Sequence, residues 1–70
     1  MASDKIQYVV ALISEFASHY GISTQKAVEY LNRFNALDLY DRQYHYLHTQ
    51  SFSSNVSDLT AYCRRKGGTL

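Results

Sequence analysis

Ile6-Gln7-Tyr8-Val9-Val10-Ala11-Leu12-Ile13-Ser14-Glu15-Phe16-Ala17-Ser18-His19-Tyr20-Gly21 is the stretch that decides the fold class. Its apolar residues recur at three- and four-residue intervals, which is the period of an α-helix and not the alternation of a strand. Ile6, Val9, Val10, Ile13, Phe16, Ala17 and Tyr20 fall on one broad stripe. They predict a helix from about Ser3 or Asp4 to Tyr20 with that stripe turned to a core. Ser3 is the candidate N-cap. Gly21 stands just past the last apolar residue, where a helix commonly ends in a left-handed conformation that suits glycine.

Downstream the same period continues. Ser23 predicts an N-cap for a second helix over 24–34, with Ile22 stapled back onto Ala27 and with Ala27, Val28, Leu31 and Phe34 as its buried face. Asn35 is a candidate stop. Leu37, Tyr40, Tyr44 and Leu47 predict a third helix from Leu37 or Asp38 to Thr49, although residues 37–40 could form a separate short turn. Residues 51–55 read as a connection rich in capping residues. A fourth helix is expected from about Asn55 to Lys66, burying Val56, Leu59, Tyr62 and Cys63. Asp58 in its first turn and Arg64, Arg65 and Lys66 in its last would complement the helix dipole, and Gly67 and Gly68 would end it. Connections this short favour neighbouring elements packed together. The expectation is therefore an all-α fold, a compact small bundle of four short helices forming a single domain over residues 1–70.

Composition narrows the function classes. A chain of 70 residues has little interior, and burial on folding covers only about 60% of the unfolded surface. Cys63 is the single cysteine, so neither an intramolecular disulfide nor a Cys-type zinc site can supplement the core. A hydrophobic share of 46% against 19% charged residues argues for a folded chain. The net charge of +1 creates no global field for nucleic acid or an anionic membrane. No run reaches the length of a membrane span, and the N-terminal segment is a poor signal peptide. With the free thiol, these features point to the cytoplasm.

The candidate chemistry is sparse. Asp41, His45 and His48, at i, i+4 and i+7, would share one face of a continuous third helix, with His19 as a distant fourth candidate. A carboxylate and two imidazoles form a weak metal-ligand set, and the competing reading is a polar flank beside the buried stripe. No cofactor is expected. Cys63 keeps the helical period and reads as core; Arg64 and Arg65 would activate it only if it were exposed. The chain has no Gly-rich phosphate loop, G-x-S-x-G or H-E-x-x-H, so the expectation is that it is not an enzyme. The Arg64-Arg65-Lys66 cluster is what a helix C-terminus prefers, and a recognition helix beginning with Asp38 and Asp41 would repel phosphate. Nucleic acid is accordingly not the expected partner. Tyr46 lies off the buried stripe of the third helix and Tyr30 flanks that of the second; each is either a partner contact or ordinary exposed aromatic surface.

Tyr44-His45-Tyr46-Leu47-His48-Thr49-Gln50, followed by Asp58, Leu59 and Tyr62, resembles a family of small bacterial proteins named domain of unknown function 3791. The resemblance extends over nearly the whole chain, including the amphipathic first helix and the Gly21-Ile22-Ser23 turn. The family pattern carries glycine after the Leu47–Gln50 segment and an acidic residue before the aspartate, where this chain has Ser51 and Ser57. Members are often encoded beside a family that looks like ADP-ribosyltransferase toxins, so the resemblance implies an antitoxin or accessory role. The residues themselves give Leu47–Gln50 a more local meaning. Leu47 is core, His48 lies a turn after Tyr44 at a helix end where a positive imidazole suits the dipole, and Thr49 and Gln50 can hydrogen-bond the chain reversal.

The reading reached is a non-catalytic protein-binding module of a bacterial cytoplasm. Its candidate contact residues are Tyr30, His45, Tyr46, His48, Thr49 and Gln50, and its partner would be a protein such as a toxin encoded next door. A homo-oligomer is compatible with it. The alternatives are a DNA-binding operon regulator and a metal-binding enzyme or sensor.

Overall fold

The computed structural model describes residues 3–70, the first of them by its backbone alone. Helices α1 (Ser3–Tyr20), α2 (Thr24–Arg33), α3 (Ala36–Arg42), α4 (Tyr44–Leu47) and α5 (Phe52–Arg65) follow one another with short connections, and no strand occurs among the described residues. The fold is an all-α small bundle, as the periodicity predicts. The cap expected of the Ser3 side chain falls outside what is described.

Local chemistry sets most of the boundaries. Gly21 takes φ 64°, and the Gly21 and Ile22 amides donate to the Ser18 and Ala17 carbonyls at 3.3 and 3.0 Å. That pair of bonds satisfies two orphan carbonyls of α1 and requires a left-handed residue at the turn. The device recurs at the end of α5, where Gly67 has φ 104° and the Gly67 and Gly68 amides donate to the Arg64 and Cys63 carbonyls. Ser23 caps α2 by accepting the Lys26 amide at 3.1 Å. Asn35 stops α2 in the left-handed region at φ 60°, a conformation that asparagine tolerates better than other residues with a Cβ.

The core is formed by Leu12, Phe16 and Ala17 of α1, Ala27 and Leu31 of α2, Ala36 and Tyr40 of α3, Leu47 of α4, and Val56, Leu59 and Cys63 of α5. Phe16 stands at its centre with Tyr20 and Tyr30 packed around the ring. Three expectations need correction here. Ile6 and Val10 are 61% and 57% exposed, and Val28 is also exposed, whereas Leu12 is buried. α1 is apolar around more than half of its circumference, so the stripe alone did not say which part would turn inward. The bundle buries the Leu12–Phe16 side, continued by the half-buried ring of Tyr8.

The third expected helix is two. Gln43, at φ −108° and ψ 18°, separates α3 from α4. The break serves two burials that one straight rod does not. Tyr40 packs on α1, its hydroxyl donating to the Lys5 carbonyl at 2.8 Å, while Leu47 is buried at the approach to α5. The last helix begins at Phe52, not near Asn55. Ser51 accepts the Ser54 amide at 3.1 Å, and the Phe52 ring lies 5.1 Å from that of Tyr8. The serines therefore cap and open a helix where their turn-forming habit suggested a connection. Asp58 consequently lies beyond the first turn of α5, away from the unpaired amides that would have welcomed it.

Candidate functional site

Leu47-His48-Thr49-Gln50 leaves α4 and enters the turn before α5. Each polar side chain in it is engaged within the chain. His48 Nδ1 donates to the Tyr44 carbonyl at 2.9 Å while its ring stacks on Tyr44 at 4.9 Å. Thr49 Oγ1 donates to the Tyr46 carbonyl at 2.7 Å. Gln50 Nε2 donates to Asn55 Oδ1 at 2.9 Å and to Asp58 Oδ2 at 3.1 Å. Asn55, which is fully buried, donates through Nδ2 to the Tyr8 hydroxyl and to the Leu47 carbonyl, both at 2.8 Å. The Tyr8 hydroxyl donates to that same carbonyl at 3.1 Å.

This network joins α1, α4 and α5 at one point, and no buried side-chain nitrogen or oxygen among the described residues lacks a partner. The cost of leaving an amide or carbonyl unpaired in a low-dielectric interior makes such a junction specific in geometry. Asn55 was not anticipated as core. Its spacing of four from Leu59 and eight from Cys63 puts it on the buried stripe of α5, a signal masked by its polarity. Thr60, likewise buried, shares a 2.6 Å hydroxyl–hydroxyl bond with Tyr20.

The kink at Gln43 also removes the shared face of Asp41, His45 and His48, since Asp41 belongs to α3 and the histidines follow the break. Asp41 is held by Lys5 at 2.5 Å, the Nδ1 atom of His48 is already engaged, and among the described residues no three His, Cys, Asp or Glu side chains converge as metal ligands. His19 lies against Tyr20 at the end of α1. Cys63 is buried, and that burial pushes its thiol above the ordinary range against a smaller opposing pull from Lys66. It is therefore packed as a small apolar residue and held in its unreactive form. Tyr30 is half-buried between Phe16 and Phe34, and its hydroxyl accepts the Leu70 amide at 3.1 Å. His45 is exposed beside Tyr44.

Tyr46 is different. It is 58% exposed and overhangs an open groove of about 280 Å³ between α3–α4 and α5. Leu39, Leu47 and Leu59 line its apolar part, Tyr62 stands on the α5 side, and Asp58 and Arg65 lie two helical turns apart along it. A groove floored by leucines, with one exposed and one half-buried tyrosine as walls and a few polar groups, is suited to holding apolar side chains of another molecule. It assembles no nucleophile–base pair.

The family model described as "Protein of unknown function (DUF3791)" matches residues 7–66, from the first third of α1 to the cap of α5. No curated protein and no solved structure matches the chain.

Proposed function

The chain belongs to the DUF3791 family, and from that premise we propose that it is a non-catalytic protein-binding module working through the groove under Tyr46. The observation that carries this reading is an exposed tyrosine over a leucine-lined groove, in a domain whose other polar motif is consumed by its own architecture. Aromatic side chains at the edge of an apolar depression are typical anchors of protein interfaces. In its most specific form the module is a bacterial cytoplasmic antitoxin or accessory partner, occupying and blocking an ADP-ribosyltransferase-like toxin encoded beside it. That form rests on the family resemblance; the groove supports binding in general.

Coexpression tests it. The neighbouring gene product should be toxic alone, neutralised by this chain, and no longer neutralised by a folded Tyr46→Ala variant. Toxicity that persists beside the unaltered chain would remove the antitoxin form, and a Tyr46→Ala variant as protective as the parent would remove the groove.

A further inference from the structure

Resting on that reading of the groove, we infer that its occupant is an amphipathic segment of another protein that carries acidic side chains beside its apolar anchors. The balanced total charge hides an uneven distribution. The ion pairs among the described residues are Lys5–Asp41 and Arg42–Asp38, both at the α3 side of the bundle. Those pairs neutralise two of the seven cationic side chains locally. Arg65 and Lys66 have no carboxylate partner among the described residues. Both lie over the Tyr62 ring, at 6.0 and 4.9 Å from its centre, and of the two Arg65 lines the groove itself.

Asp58 stands two turns earlier on α5, with one carboxylate oxygen already accepting from Gln50. The groove thus has an apolar floor and a cationic end. The opposite end carries a single acid that is partly engaged. An incoming segment with leucine- or phenylalanine-type anchors would gain from a carboxylate placed toward Arg65 and Lys66 and lose from an ammonium there. A phosphate-tracking surface for nucleic acid would need the cations spread along an extended face. Here Arg65 and Lys66 are gathered against one aromatic ring beside an apolar depression.

Fluorescence anisotropy with the intact chain tests this. The probes are three labelled helical peptides of equal length: one with a leucine stripe and glutamate flanks, one with the same stripe and lysine flanks, and one with glutamates and no stripe. A short DNA duplex is the fourth probe. The glutamate-flanked leucine peptide should bind most tightly. Its affinity should fall about tenfold in a chain carrying Arg65→Glu and Lys66→Glu, and several-fold between low and moderately high salt. The reversed chain should prefer the lysine-flanked peptide.

Equal binding of both leucine peptides would sink the charge selection while leaving the groove intact. If neither leucine peptide binds, the groove reading itself fails. Tighter binding of the duplex, or a dimer in sedimentation that Tyr46→Ala dissociates, would assign the surface to nucleic acid or to a second copy and overturn the inference. Circular dichroism of the variants establishes that each is folded.

Discussion

Tyr46 and Leu47 are adjacent in sequence and belong to opposite regimes. On one side, Leu47 and the Gln50–Asn55–Tyr8 network form a closed junction in which every buried side-chain nitrogen and oxygen among the described residues is matched. On the other, Tyr46 is 58% exposed beside an open groove at whose edge Leu39 is half-buried. The contrast shows how a small domain divides its side chains. The most distinctive polar motif is spent on holding three helices together, while Tyr46 is among the apolar side chains the fold did not absorb. A recurring polar segment is therefore a poor guide to a binding site when its donors and acceptors are already paired.

The sharpest test of the closed side is Leu47→Ala. It should cost about 2–5 kcal/mol. A domain of this size has only about 4–10 kcal/mol to lose, so urea unfolding should show a midpoint shifted far down or no folded baseline. Asn55→Ala comes next. It strips partners from the Tyr8 hydroxyl and the Leu47 carbonyl and leaves a small void, which should lower stability by about 2–3 kcal/mol in the same measurement. A change of less than about half a kcal/mol would mean that the junction is not a structural element, since unpaired buried groups cost more than that.

Alkaline titration probes the neighbouring tyrosine cluster. Burial, assisted by Tyr44, Tyr8 and Asp41, raises the Tyr40 hydroxyl from 10.0 to about 12. Folding thus favours the neutral phenol. Its contribution is whole below pH 10, where the group is protonated in both states, and is lost as pH rises through about 12. Thermal melts across that window should fall, and Tyr40→Phe should flatten the part of the fall that belongs to this residue. Gln50→Ala should have a smaller effect, about 1 kcal/mol, because it removes two bonds from a partly exposed amide. On the open side, Tyr46→Ala should change stability by no more than about 0.5 kcal/mol, as exposed substitutions do, while abolishing partner binding. A large loss of stability at Tyr46 would erase the distinction between the two regions.

Much of the architecture is written locally. Gly21, Ser23, Asn35 and the Gly67–Gly68 pair mark ends of helices because each supplies a backbone conformation or a cap that few other residues supply, and the structure uses all of them. Cys63, Leu31 and Leu59 are core as their spacing implies. The candidate site was less legible. Tyr46 could be placed off the buried stripe. The groove beneath it draws on Leu39 and Tyr62, which lie far apart in the chain, and on a kink at Gln43 that no proline or glycine announces. Ser51 is the capping residue of the connection as read, but Phe52, Ser53 and Ser54 already belong to α5, because serine serves equally in turns and in the first turn of a helix. The start of the helix is fixed where Ser51 caps the Ser54 amide and Phe52 meets the Tyr8 ring.

What the residues determined by themselves is helical content, most helix ends and the absence of a disulfide staple, because these follow from short-range sterics, capping and composition. What only the tertiary structure decided is which side of α1 faces inward, where the third helix breaks, and whether Gln50 and Asn55 face a partner or each other. Those outcomes depend on matching apolar area and hydrogen-bonding groups between segments distant in the chain, and helical periodicity, being a property of one segment at a time, carries no record of that match.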